Sequence, residues 1–509
     1  MRSRRLLAAA CIAAATALLV AGCSSSSTTS TPAATGAGKP DASATVNVGL
    51  VLEPTDLNIR TTSGIAIDQV LIDNVYQGLV GRTATNSIRN VLATTHTISP
   101  DGLTYTFTLH KGITFGDGTP MTTADVIWSL TQVKNNPTTY QNASDLAAVD
   151  TITSPATNTV VLHLTHPDSN LLFALTGRAG LILQQTATNP LATTANGTGP
   201  YLLTSWKQGD SLTLTRNPQY WGAKAKVKKV VFTYYTSPSA GINAMASGDL
   251  DVETAVDPTL QTQLKNVSGV SLKRGKTTDK YTLAFNNTDP ALSTLKVRQA
   301  LRAAIDNKAI ITALGGAAVL QGGPIPALDP GYQNLTSTQT FNPTQAKKLL
   351  KQAGVSNLKL NLEYPNIYPA ALGDILTTEF KTIGVTLTVK QVDFTTWLTD
   401  VFLGKGSTPY QLSIVDHAET HDFGNWANPN YYFHYDNKQV HNLYAQSQTA
   451  TTPQAAATLL KKAAKIVASD SPADWLYTAT TITALHTGIT GFPTTSTSTR
   501  LNLATLAKR

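Results

Sequence analysis

The chain has 509 residues, 41% hydrophobic and 14% charged, with 39 Lys and Arg against 31 Asp and Glu for a formal charge of +8. This is enough chain for a large core in several domains. The mild positive balance, with no basic run, gives no support to nucleic-acid binding, and two cysteines, Cys11 and Cys23, leave little to disulfides.

The first element is a leader. Arg2, Arg4 and Arg5 precede an apolar run at 6–21, broken only by Thr16. The run is shorter than the ~20 residues of a comfortable membrane span, and a charged start with a small-residue end describes a secretory signal. The end, Val20-Ala21-Gly22-Cys23, resembles the bacterial lipobox. That resemblance implies a lipoprotein signal peptide at 1–22, with Cys23 as the lipidated first residue of the mature chain. Cys11 leaves with the leader, and without the three arginines the formal charge falls to +5. Residues 23–44 are dominated by Ser, Thr, Ala, Gly and Pro, with Lys39 and Asp41 as the charged residues. Such a composition cannot bury a core and is read as a flexible tether.

Folding is expected to begin in "TVNVGLVLEP" at 45–54, where Val46, Val48 and Leu50 alternate as in a strand. "TYTFTLHKG" puts Tyr105, Phe107 and Leu109 on one face of a strand exposed on the other. "GDGTP" is then a turn, and Thr122 with Asp125 opens a capped helix buried through Val126, Ile127, Leu130 and Val133. Pro238 and Gly248 bracket a helix, with a strand expected at 250–256. Val297, Ala300, Leu301, Ala304 and Ile305 stand at helical spacing, and Asp306 can cap the next turn. Asn342, Pro343, Gln345 and Gly354 start and stop another helix. "ILTTEFKTIGVTLTVKQV" reads helix, glycine, strand, and "AAATLLKKAAKIVAS" is a further amphipathic helix. Mixed helices and strands without an internal repeat indicate an α/β protein with several lobes.

Several of these segments carry a resemblance. "NVYQGLV" (74–80), "DGLTYTFTLHKGITFGDGTPMTTADVIWSL" (101–130), "NGTGPYLLTSWKQGDSLTLTRNPQYWG" (196–222), "AMASGDLDV" (244–252) and "FNNTDPALSTLKVRQALRAAIDNKAII" (285–311) stand in the order found in extracytoplasmic solute-binding proteins of family 5, the peptide and nickel binders of ABC importers. The resemblance implies a periplasmic-binding-protein-like type II fold: two lobes, a hinge and an extra inserted domain. Domain I would be discontinuous, at 45–83, 191–279 and 479–509. Domain II would be inserted at 84–190, and domain III would run over 280–478. The implied function is non-enzymatic capture of a small solute, most simply a peptide, by lobe closure, without a cofactor. Delivery would be to an ABC permease with its ATPase. The implied location is the outer face of the cell membrane, as a lipid-anchored monomer.

The same resemblance implies where the solute sits. The family's domain III loop carries an aspartate for a ligand's amino terminus, and the matching region here is "VDHAETHDFGNWANPNYYFHYDN" at 415–437. Asp416 and Asp422 are the candidates, with Asp422 preferred, because a carboxylate facing an ammonium in a dry cleft makes a charge-assisted hydrogen bond. Trp426 would be an aromatic wall. Tyr281, Phe285 and Asn286 would lie near a lobe crossover, Thr55 and Asp56 on a loop reaching the cleft, and Gly197 at a second crossover. Trp128, Trp206 and Trp221 read as core. No cation for a peptide carboxylate can be placed, since 360–380 holds no Lys or Arg.

Two alternatives remain open. His417, Glu419 and His421 crowd into "DHAETHD", a donor set suited to Ni(II), Zn(II) or Cu(II), so a metal-complex binder of the same fold is one. A solute sensor is the other. No G-x-S-x-G, H-E-x-x-H or P-loop is present.

Overall fold

The structure, a computed structural model, describes residues 39–509 apart from 63, 236, 339 and 496–499. Cys23 and the tether up to residue 38 lie outside the described residues. Among the described residues no helix is long and apolar enough to cross a membrane.

One sheet organises the molecule. Its strands run in the order Thr386–Val392, Lys359–Pro365, Leu412–His417, Val270–Phe285, Ala473–His486, Val252–Glu253, Thr45–Leu50, Lys229–Tyr234, Ser211–Arg216 and Tyr201–Lys207. Apolar clusters build two lobes along it. The first gathers Val46, Val48, Leu57, Ile67, Phe232 and Leu503 among others. The second packs one cluster around Phe285, Leu362 and Phe380 and another around Trp397, Trp426 and Trp475, on either side of the same strands. Burying each such large side chain is worth about 1.5–3 kcal/mol, so each lobe has a substantial core.

Two long antiparallel strands, Val270–Phe285 and Ala473–His486, belong to both lobes. Lys276 pairs with Thr480, and the next paired residue, Lys280, meets Thr478. Thr277, Thr278 and Asp279 therefore stand opposite Ala479 alone. Extra residues on one side of a ladder make a bulge, which bends the strand and interrupts pairing. The Thr277 hydroxyl donates to the carbonyl of Ala479 at 2.6 Å, and that of Thr278 to Ala418 at 2.9 Å. Beyond the bulge, Lys280–Phe285 pairs with Leu412–His417, setting Lys280 across from His417 and Tyr281 across from Asp416.

A second, four-stranded antiparallel sheet forms from Ala93–Ile98, Thr104–Leu109, Thr159–Leu164 and Val149–Ala156, in that order. The helix Thr123–Asn135 covers it with Val126, Leu130 and Val133. Thr122 and Asp125 close its capping box, with the Thr122 amide 2.8 Å from Asp125 Oδ2.

Local signals recur at other ends. Asp306 and Asn342 cap the helices Asn307–Ala313 and Pro343–Gln352 with their side chains. Gly248 ends Pro238–Ser247 at φ 87°, a conformation open to glycine at no steric cost. The strand expected at 250–256 is a correction: only Val252–Glu253 joins the ladder. The Asp251 carboxylate turns instead to the Asn47 amide and to Lys508, while Val256 bonds separately to Ile482. Gly197 and Gly199 allow a close backbone crossing. A Cβ there would fall 2.1 Å from the Val75 carbonyl and 2.3 Å from that of Asn74.

Candidate functional site

The strands Lys359–Pro365 and Leu412–His417 run parallel, paired at Leu362 and Leu412, and loops beyond the carboxyl ends of strands are where open α/β sheets place ligands. The first loop carries Tyr368 and the second Glu419 to Asp422, both beside the bulge at 277–279. The alternation of strand side chains puts Asp416 and Tyr281 on one face and His417 and Lys280 on the other.

Lys280 is 2% exposed. Its Nζ donates to the carbonyls of Thr278 at 3.1 Å and Glu419 at 3.0 Å, and lies 3.3 Å from Asp422 Oδ2. Burial pushes the Asp422 carboxyl up to about 7, with Lys280 pulling the other way. Asp416 is also held well above the carboxylate range, by burial first and then by Asp279, with Glu419 adding to it and Lys280 opposing. Its amide bonds the Tyr368 hydroxyl at 3.1 Å, while its Oδ1 is enclosed without a partner. Tyr281 stacks on Tyr477 at 4.6 Å and meets Tyr368 edge-on at 5.4 Å. This is an acidic floor walled by tyrosines.

His417 is buried, and burial followed by the Lys280 charge lowers its imidazole to about 3. Its Nε2 lies 3.1 Å from the Tyr432 hydroxyl. One ligand atom each from His417, Glu419 and Asp422 falls within a 4.8 Å span. His421 does not complete that set, which corrects the expected trio. It sits at φ 58°, gives its amide to Asp329 Oδ2 at 2.8 Å, stacks on Phe173 at 3.6 Å and places Nδ1 2.8 Å from Asn170 Oδ1.

His421 thus ties the acidic loop to the segment that carries the second sheet. Asn86 Nδ2 reaches Asp329 Oδ1 at 3.3 Å, and Ser169 bonds Gln448 and Ser447 through its amide and hydroxyl. Burial raises Asp329 to about 6, against the pull of Lys280 and Arg82. Cavities of about 350 and about 110 Å³ adjoin His421 and Asp329 on this seam.

Other expected residues have different surroundings. Trp426 is 3% exposed and stacked on Phe433 at 4.2 Å, next to Trp475, so its environment is core. Phe285 is fully buried. Asn286 caps a turn: Nδ2 donates to the Tyr410 carbonyl and Oδ1 accepts from Thr288. Asp56 accepts from the Asn58 amide at 2.7 Å and from the Thr62 hydroxyl, and the Thr55 carbonyl accepts from Gln208. Trp128, Trp206 and Trp221 pack at core margins. Sequence reasoning missed Lys280, Asp279, Tyr368 and Asp329. The available signal was a charged pair, Asp279-Lys280, directly before the mostly apolar run Tyr281–Phe285.

Comparison with known proteins agrees with this architecture. The family model described as "Bacterial extracellular solute-binding proteins, family 5 Middle" matches residues 87–408. A putative ABC transporter peptide-binding protein of Brucella ovis is 30% identical over 294 residues, covering 56% of this chain and 54% of that protein. The chain thus spans about half the length of that relative. The glutathione-binding protein GsiB of Shigella flexneri is 25% identical over 471 residues, covering 87% and 89%. Among solved structures, the ABC transporter-associated periplasmic binding protein DppA of Helicobacter pylori, in complex with peptide STSA, is 20% identical. It matches at a TM-score of 0.71 over 92% of this chain and 98% of that one.

Proposed function

The chain belongs to the bacterial extracellular solute-binding proteins of family 5, and from that premise we propose that it is the substrate-binding component of an ABC importer. It captures a solute, a peptide in the simplest case, between its two lobes and passes it unaltered to a permease driven by an ATPase. The observation that carries this reading is the acidic, tyrosine-walled floor placed where the two shared strands break register. Asp416, Glu419 and Asp422 offer acceptors to a ligand ammonium there. A solute touching both lobes favours the closed arrangement by its differential contacts.

In this reading the break at Thr277–Asp279 against Ala479 divides domain I (45–83, 191–279, 479–509) from domain III (280–478), with domain II inserted at 84–190. Cys23 carries the lipid, and the tether lets the folded part work outside the cell membrane as a monomer. Relatives whose names include peptide and glutathione binding support the solute class.

Native mass spectrometry of freshly purified protein, followed by scattering with the recovered solute, tests the proposal. The expected result is a retained small molecule and a smaller radius of gyration when it is bound. A radius unchanged by every solute offered, peptides included, overturns it. The anchor has its own test: the wild-type protein partitions into detergent and Cys23→Ala into water.

A metal-complex reading has one observation in its favour, the span shared by His417, Glu419 and Asp422. Lys280 already holds Asp422, so a metal would have to displace an ammonium. Nickel or zinc titration with tryptophan fluorescence decides it, and a flat response at tens of μM ends it.

A further inference from the structure

Asp416, Glu419 and Asp422 bring three carboxyl groups to the floor against one lysine, Lys280. Asp279 and Glu419 act on Asp416, Asp329 and Glu419 act on Asp422, and Lys280 is the cation that acts on both. Lys280 is already committed to Thr278, Glu419 and Asp422. Asp416 lies on the other strand face, and its Oδ1 accepts nothing although it is enclosed. An enclosed carboxyl oxygen without a partner is costly, and a cation beside it would relieve the repulsion from its acidic neighbours.

The surrounding rings fit an incoming cation. Burial first, and then Asp416, raises the hydroxyl of Tyr281, and burial, then Tyr281 and Asp416, raises that of Tyr477; burial raises that of Tyr368 to about 12, with Asp416 and Glu419 adding to it. These side chains therefore stay neutral and offer π faces as well as hydroxyls. Ring faces attract ammonium and guanidinium groups by about 0.5–2 kcal/mol.

We propose that the solute carries a cationic side group, an ammonium or guanidinium, besides any terminal ammonium, and that this group is held by Asp416 beside the rings of Tyr281 and Tyr368. The inference rests on the solute-binding reading above and deepens it: the cargo class is basic. It accounts for the unpartnered oxygen and for a floor whose acids outnumber its lysine.

The test is calorimetry at low salt with Ala-Lys-Ala, Ala-Ala-Ala and Ala-Glu-Ala, and with agmatine as a cation that is not a peptide. The lysine peptide is expected to bind at least about tenfold tighter than the alanine peptide, with the glutamate peptide weakest. The preference shrinks as salt is raised, disappears in Asp416→Asn and survives in Asp416→Glu. Equal affinity for the three peptides, or a preference for glutamate, overturns the inference and leaves the peptide reading in place. Agmatine binding without peptide binding supports the inference and overturns peptide as the cargo. Binding of none of the four overturns both.

Discussion

Two polar clusters serve opposite ends in this molecule. Around Arg60 and Arg178 the chain closes on itself. Arg60 donates to the carbonyls of Arg178 at 2.7 Å and Leu181 at 2.6 Å, and Arg178 Nε meets Asp68 at 2.6 Å while its other nitrogens reach the Thr62 and Gly64 carbonyls. These bonds join residues 60–68 to residues 178–181. The acidic floor is unfinished by comparison. Its carboxyls share Lys280, burial lifts Asp416 and Asp422, and one oxygen has no partner. A saturated cluster fixes two parts of a scaffold, whereas an unsaturated one leaves bonds for a visitor.

The largest expected effect breaks the saturated side. Arg178→Ala strands the buried Asp68 and removes several carbonyl bonds, so chemical denaturation should show a loss of about 3–5 kcal/mol. Solute affinity per folded molecule should hardly change. A large affinity loss with intact stability would reverse the roles assigned to the two clusters.

On the unsaturated side, Lys280→Met should cost about 2–4 kcal/mol by leaving Asp422 without its cation. Adding Asp422→Leu should restore much of it in a double-mutant cycle. Additive losses would show that the two residues do not act as a pair.

The next effect is on the pH profile. Asp422 titrates near 7 in the folded chain and near 3.9 unfolded. The folded form therefore holds the proton more tightly, and this residue's contribution to stability falls as pH rises from about 4 to about 7. His417 and His421, lowered to about 3, work the other way, with stability lost as pH falls below about 6.5. Subtracting the curve of Asp422→Asn isolates the acid. The wild type should lose on the order of 1 kcal/mol or more, relative to the variant, between pH 5 and 8. A flat difference would mean that Asp422 stays ionised in the folded chain.

The smallest effect concerns Trp426. Trp426→Phe keeps an aromatic face toward Phe433 and Trp475, so thermal melting should register about 1–2 kcal/mol and solute affinity should stay within about twofold. A tenfold affinity loss would return Trp426 to the pocket.

These residues show what a sequence discloses. Thr122 with Asp125 and Asn342 with Gln345 were legible because a cap reads residues three apart on the same chain. The resemblance pointed to the loop at 415–437. The partners of its residues were not legible, because they are brought in by sheet register. Lys280 reaches Asp422 only after the two strands pair, 142 positions apart by number. Trp426 was ambiguous for the same reason, since Phe433 is near in sequence but Trp475 arrives from a different strand. The strand at 250–256 was overextended because apolar alternation says nothing of Asp251 turning aside to Lys508.

The bulge at Thr277–Asp279 carries a mechanical consequence. Because the two ribbons that join the halves lie side by side and remain bonded above and below Ala479, flexing there curves a ribbon rather than tearing one. If the lobes close as proposed, that stroke leaves both hydrophobic interiors covered, and wear should collect at three residues rather than across the sheet.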